Sequence, residues 1–130
     1  MSKESITFNV PVLRQQAHIH DYECFGWELL SVNGESVTMS RETQTPVYSD
    51  LVKYQVRYEE LTALMKDAQD SKDALKRWFH DNIMAQSSIT SYFHQSEKLH
   101  FLYDNLSSQR AQVCSHAKVA LALYIQSSRK

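Results

Sequence analysis

Apolar side chains in the first 45 residues follow two different periods. Ile6, Phe8 and Val10 alternate with polar residues, which is the period of a half-buried β-strand. Pro11 suits the first turn of a helix, and Gly26 stands where a left-handed residue would end that helix. The inward positions expected between them, at helical spacing, are Leu13, Ala17, His20 and Cys24. The pattern therefore predicts one strand followed by one short helix.

Two β-prone runs come next, separated by the pair Asn33-Gly34. Asn-Gly is a strong hairpin signal, because a type I′ turn needs positive φ at both central positions. With these two residues as the loop, Leu30 would lie opposite Val37. The apolar face expected to point into the core carries Leu30, Val32, Val37 and Met39.

Trp27 and Leu29 would then lie on the other face of this hairpin, among serine and threonine residues. Large apolar side chains are seldom left uncovered without a purpose. Two interpretations stay open. The long helices of the same chain cover Trp27 and Leu29, or the pair forms a docking patch for a partner.

From Val47 onward the chain contains neither glycine nor proline, and apolar residues recur at alternating spacings of 3 and 4. This heptad pattern marks a seam, the line of side chains that faces a partner helix. The first seam comprises Leu51, Tyr54, Tyr58, Leu61, Met65, Ala68, Lys72, Leu75 and Phe79. The second comprises Leu99, Leu102, Leu106, Gln109, Val113, His116, Ala120 and Leu123. Each predicts a helix of about 30 residues, about 45 Å long.

Residues 81–95 interrupt both seams and predict a connector, which could hold a short helix of its own, so the two long helices should form an antiparallel hairpin. The alternative is one continuous rod, which would expose both seams. Tyr92 and Phe93 would lie at the tip and fit the profile of aromatic anchors for a partner. Lys72 and His116 are polar seam positions, which either fix register and oligomeric state or lie at the seam edge with their polar ends in solvent.

Together these elements predict an α+β protein. A small β-α-β-β head spans residues 1–45, and a long, coiled-coil-like antiparallel helical hairpin spans 46–130 as a single structural unit. A chain of 130 residues can bury a modest core without metals or disulfides.

The charge pattern argues against nucleic acid as a partner. The formal net charge is −1, and Asp70 and Asp73 interleave the basic residues Lys72 and Lys76. No segment reaches the roughly 20 apolar residues that a membrane span needs. Two cysteines without metal or redox spacing favour free thiols, a reducing compartment and a cytoplasmic protein.

Candidate chemistry is sparse. His20 and Cys24 are one helical turn apart and could face a metal, but no second His/Cys pair has ligand spacing. His100 and either Tyr103 or Asp104 are helical neighbours that could form an acid–base arrangement, although neighbours of this kind arise often by chance. There is no glycine-rich phosphate loop. We therefore expect no catalytic residue, no metal and no cofactor, and a protein that is not an enzyme.

The segment Tyr22-Glu-Cys-Phe-Gly-Trp-Glu-Leu29 precedes a turn, a β-prone run and a helix that contains Leu51-Val-Lys-Tyr-Gln55. This arrangement resembles a group of small uncharacterised proteins of Gram-positive bacteria over residues 5 to about 70. The chain departs from that group in two ways. The group carries an Arg-x-Arg cluster where this chain has Ser40-Arg-Glu-Thr-Gln44, with a single arginine. Many members end in an apolar tail, and this chain has a predicted helical segment in its place. The resemblance implies the fold of the head and a non-enzymatic role, and it implies no activity.

Two functions are consistent with these features. The first is an adaptor that self-associates, for example as a homodimer, or binds another protein through its helical arm. Its candidate contact residues are Trp27, Leu29, Lys72, Tyr92, Phe93 and His116. The alternative is a small inhibitor or regulator, of the kind carried by mobile genetic elements, that sequesters a nucleic-acid enzyme.

Overall fold

The computed structural model describes residues 2–82 and 86–128, with side chains described except at 86–88 and 128. Three strands and three α-helices confirm the predicted α+β class, and a short 3-10 turn at Val12–Arg14 leads into the first helix. The elements are β1 (Lys3–Asn9), α1 (Gln15–Glu23), β2 (Glu28–Asn33), β3 (Ser36–Glu42), α2 (Tyr48–Asp81) and α3 (Gln86–Ser128).

The chain divides into two compact units. One comprises the chain up to Arg57 together with the chain from Gln112 onward, and the other comprises Tyr58–Ala111. The first unit contains the head and the adjoining ends of α2 and α3. The second contains the remainder of the helical hairpin.

The three strands form an antiparallel sheet in the order β1-β3-β2. Ile6 of β1 lies opposite Met39 of β3, and Phe8 lies opposite Val37. Val37 and Met39 are completely buried. The alternation that predicted β1 therefore marks the face of the sheet that lies against the core.

The predicted hairpin register is wrong by one residue at the turn. Asn33 still belongs to β2 and pairs with Ser36, so the two-residue loop is Gly34-Glu35. A type II′ turn has a positive φ at its first central residue and a negative φ at its second. Gly34, the first, has φ +61, and Glu35, the second, is not among the described residues with positive φ, so the loop has the signs of a type II′ turn. The side-chain amide of Gln15 donates to the carbonyl of Gly34 (2.6 Å), so a contact distant in sequence helps to hold this turn.

The predicted faces of the hairpin change with the register. Val32 pairs with Val37 and Leu29 with Met39, and the register shifts between Leu29 and Ser31. Leu30 is therefore the extra residue of a β-bulge. Leu29, and not Leu30, shares a face with Met39.

The predicted inward face of α1 is also wrong, apart from Cys24. Leu13 is fully exposed, because it belongs to the 3-10 turn and lies out of phase with the α-helix. Ala17 and His20 are exposed as well. The helix instead buries Gln15 and Tyr22.

The left-handed residue predicted after α1 is present. Gly26 has φ +90, and its N–H donates to the carbonyl of Glu23 (3.0 Å). A Cβ atom at this position would lie 2.9 Å from Cδ1 of Leu51. Both the backbone conformation and the close approach of α2 therefore require glycine here.

The helical hairpin is confirmed, and α2 has the predicted seam. Tyr58, Leu61, Met65 and Ala68 are buried. Cross-helix contacts run in antiparallel order, since Thr62 of α2 meets Arg110 of α3, while Phe79, later in α2, meets Tyr92, earlier in α3.

Residues 83–85 of the predicted connector lie outside the described residues, its later part is helical, and three of the eight positions of the second seam are wrong. The helix α3 already begins at Gln86, so Tyr92 belongs to a helix and not to a loop. Leu102, His116 and Leu123, predicted to face inward, are exposed. The residue that follows each is half-buried or buried instead: Tyr103, Ala117 and Tyr124.

An aromatic cluster joins α1 to the sheet. The His18 ring lies 4.3 Å from Phe8 and 4.6 Å from Tyr22, measured between ring centroids. The Nε2 atom of His18 is buried and has no hydrogen-bond partner among the described residues. Burial lowers the pKa of His18 below its ordinary value, and the carboxylate of Asp21 opposes this effect only in part.

Acid should therefore destabilise the fold through His18. As the pH falls from 6.5 toward the lowered pKa, the unfolded chain binds protons that folded His18 does not, so the free energy of unfolding decreases. The loss is complete below the folded pKa. Urea denaturation measured between about pH 7.5 and about pH 4.5 tests this.

The variant His18→Phe keeps an aromatic ring and removes the titration. We expect its stability to fall less steeply than that of the wild type over the same pH range. Parallel stability curves for the two proteins would show that His18 is not responsible.

Candidate functional site

The tip half of the hairpin, Tyr58–Ala111, holds three of the six candidate contact residues. Tyr92 is half-buried and stacks on Phe79, with 4.2 Å between ring centroids. Phe93 lies edge-on to Tyr92 and is 64% exposed. The Nζ atom of Lys72 lies 5.3 Å from the centre of the Tyr103 ring. Lys72 therefore makes a cation–π contact within the hairpin.

A groove lies between α2 and α3 in the same unit, with a volume of about 540 Å³. Its lining is Ser71, Ala74, Leu75, Gln95, Lys98 and Leu99. Small and apolar side chains thus form most of it, and Lys98 contributes the charge.

Two exposed apolar residues extend this groove by one helical turn, one toward each end, because α2 and α3 are antiparallel. Trp78 follows Ala74 on α2 and is 39% exposed, and Leu102 follows Lys98 on α3 and is 48% exposed. Leu64 lies seven residues before Ser71 on the same stripe of α2 and is also exposed. We call the groove together with Leu64, Trp78 and Leu102 the arm groove.

The other three candidate residues lie in the first unit and differ in environment. Trp27 is buried. Leu29 is 44% exposed and lines a shallow groove with Ala17 and Ile19 of α1. His116 is exposed, with its ring centroid 6.4 Å from that of Tyr54. No contact joins these three residues to one another among those that the structure records for its described part.

Trp27 belongs to a polar network centred on Arg41, which is 5% exposed. Arg41 donates from Nε and Nη2 to the same oxygen of Glu4, at 2.8 and 2.6 Å. Its Nη1 donates to the carbonyl of Phe25 (3.0 Å) and to Oε1 of Gln55 (2.8 Å). The indole N–H of Trp27 donates to that same Gln55 oxygen (2.8 Å).

Aromatic rings complete the surroundings of Arg41. The guanidinium carbon lies 4.3 Å from the centre of the Trp27 ring and 5.1 Å from that of Tyr48. The Tyr48 hydroxyl lies 3.1 Å from the Glu4 oxygen that Arg41 contacts. The charge is thus paired, hydrogen-bonded and stacked, which is what a buried guanidinium requires.

A cleft of about 340 Å³ adjoins this network within the same unit. Its lining includes Trp27, Arg41 and Leu51, and Tyr124 of α3. Side chains of both signs reach it, because Lys3, Glu23, Glu28 and Glu42 also line it. Four of the five N–H donors of Arg41 are used by Glu4, Phe25 and Gln55, so Arg41 is largely engaged and offers little to an anionic ligand in this cleft.

Sequence reasoning missed Arg41, although the pattern contained a signal. Positions 37, 39 and 41 alternate onto one face of β3, and positions 4, 6 and 8 do so on β1. Glu4 lies directly opposite Arg41. An acid–base pair at the end of two apolar alternating strands marks a buried ion pair.

Sequence reasoning also missed Trp78 of α2. The first seam passes through Leu75 and Phe79, so Trp78 lay outside the positions expected to face a partner helix.

The histidines supply little evidence of chemistry. His100 and Asp104 lie 3.3 Å apart, but both side chains are more than 60% exposed. No group of three His, Cys, Asp or Glu residues within the described ranges could hold a metal ion. Over those same ranges, neither long helix has a stretch apolar enough to cross a bilayer.

Comparison with protein-family models, with curated proteins and with solved structures finds no match to the chain in any of the three cases. Evidence for function therefore comes from the geometry of the chain itself.

Replacing Arg41 should destabilise the fold strongly. A lysine ammonium cannot reach Glu4, Phe25 and Gln55 together, so Arg41→Lys leaves buried acceptors unpaired. We expect a loss of about 2–4 kcal/mol in the free energy of unfolding, measured by urea denaturation. Arg14→Lys, at an exposed position, should change it by less than about 0.5 kcal/mol. Equal effects of the two substitutions would contradict a stabilising role for the network.

Proposed function

We propose that the protein is a non-enzymatic adaptor that binds proteins through its helical arm, and that its first partner is a second copy of itself. The observation that carries the proposal is the arm groove, where Trp78 and Leu102 remain exposed beside an apolar channel between two helices. Grooves of this kind accept the apolar face of a third helix.

The chain itself offers a helix that fits this role. Along the last turns of α3, Val119, Ala122 and Leu123 are exposed and spaced i, i+3 and i+4, so they share one face. Val119 is 57% and Leu123 is 61% exposed. We call these three residues the α3 stripe. Docking the α3 stripe of one copy in the arm groove of another would bury both apolar surfaces.

Trp78 is the expected energetic centre of such a contact. Tryptophan is enriched among interface residues that dominate binding energy, because its ring buries a large area with little loss of rotamer freedom. Charge contributes less, since Lys98 is the charged residue of the groove lining. Association should therefore depend only weakly on salt.

The other parts of the proposal follow from this role. The head would hold the ends of α2 and α3 and take no part in catalysis, and the arm would behave as a coiled coil of the antiparallel type. Two free thiols are compatible with the reducing cytoplasm of a bacterium, where we place the protein.

Light scattering coupled to size-exclusion chromatography tests self-association over about 1 to about 500 µM protein. We expect the mass to rise from monomer to dimer with concentration. Trp78→Glu and Leu123→Glu should each weaken association by about 30-fold or more, because each places a charge in the contact. Phe101→Glu is the matched control. Phe101 is 67% exposed, next to Leu102, and points away from α2.

Mixing the two interface variants sharpens the test. In an equimolar mixture, the intact α3 stripe of Trp78→Glu can dock in the intact groove of Leu123→Glu, so part of the association should return. A protein that stays monomeric at every concentration would rule out self-association. Capture of a host protein by wild type and Phe101→Glu, but not by Trp78→Glu, would then identify a different partner for the groove. Equal capture by all three would refute the role of the arm.

A further inference from the structure

The two cysteines are far apart in sequence but meet in the folded protein. Cys24 follows the last residue of α1 and is 3% exposed, and Cys114 lies on α3 and is half-buried. They belong to the same compact unit, and the two thiols lie close enough to interact, since the Cys114 thiol helps to raise the pKa of Cys24. Both are free. Two interacting thiols of one compact unit are candidates for a disulfide, which joins the sulfur atoms at about 2.05 Å.

The two thiols differ in access to solvent. The Cys24 thiol donates to the carbonyl of Asp21 (2.7 Å), and burial raises its pKa far above the ordinary range of a thiol. Cys114 is the more accessible of the pair. The Cys114 thiol and Asp21 also raise the pKa of Cys24, and the ammonium of Lys118 opposes this only in part. An oxidant from solvent should therefore react first at Cys114.

We propose that Cys24 and Cys114 are a modification site, at which hydrogen peroxide converts the two thiols into one reversible intramolecular disulfide. The Cys114 sulfur, after losing its proton, attacks a peroxide oxygen and becomes a sulfenic acid, and one water is released. The Cys24 sulfur then attacks the Cys114 sulfur, loses its own proton and displaces the hydroxyl as a second water. Two thiols and one peroxide thus give one disulfide and two waters.

The disulfide would tie the end of α1 to α3 within one structural unit. A cross-link between distant positions stabilises a fold mainly by restricting the unfolded chain. Oxidation should therefore raise the midpoint of thermal unfolding and protect the last turns of α3 from proteases. This inference does not depend on the proposed adaptor function.

To test this, the reduced protein is treated with a small excess of hydrogen peroxide. We expect intact-mass spectrometry to show the loss of two hydrogen atoms and a peptide map to show a Cys24–Cys114 link. Thiol titration in denaturant should fall from two per chain to none. Dithiothreitol should restore the original mass, thiol count and unfolding midpoint.

Single variants separate the roles of the two thiols. In Cys24→Ser, Cys114 should gain oxygen atoms or form a disulfide between two chains, with no rise in the unfolding midpoint. In Cys114→Ser, Cys24 should react only after denaturation. If native wild-type protein gains oxygen on both cysteines, or links two chains without the internal bond, the proposal is wrong. The wild-type measurements decide this even if a variant does not fold.

Discussion

A single buried cation, Arg41, determines how the head is assembled. Its guanidinium donates to Glu4 on β1, to the carbonyl of Phe25 after α1, and to Gln55 on α2. Because an unpaired charge in the interior is costly, none of these elements can move away without leaving the charge unsatisfied. Trp27 is held in the same network through Gln55. Hydrophobic burial drives the collapse of this small domain, and Arg41 selects one arrangement of its parts.

Within the tip half of the hairpin, cations stacked on aromatic rings play a similar part. Lys72 lies over Tyr103, and Arg110 lies over Tyr58 and donates to Thr62. Each pair joins α2 to α3, so a rotation of either helix would break it. These contacts turn Tyr103 and Arg110 inward. They leave Leu102 on the groove side, where it adds to the apolar surface of the arm groove.

The sequence predicted the fold more completely than the surface. Period-2 alternation found β1, and the 3-4 spacing found α2, because local patterns report which face a regular element buries. The same spacing located five of the eight positions of the α3 seam correctly. At Leu102 and Leu123 it failed, because the tyrosine that follows each leucine is the residue turned toward the interior. The turn at Gly34 was shifted by contacts from Gln15, which lies in another element. The arm groove could not be predicted from the sequence, because its lining side chains come from both α2 and α3.

The bulge at Leu30 has a consequence for how the sheet meets other molecules. No strand within the described residues covers the outer edge of β2, and all six of its side chains are exposed, Leu29, Leu30 and Val32 among them. A regular edge of this composition would offer a template for fibre growth. The extra residue breaks the even spacing of the outward N–H and C=O groups, so an added strand could follow only part of the edge. The bulge thus allows β2 to expose these apolar residues while reducing the tendency of the sheet edge to add strands of other copies and grow into a fibre.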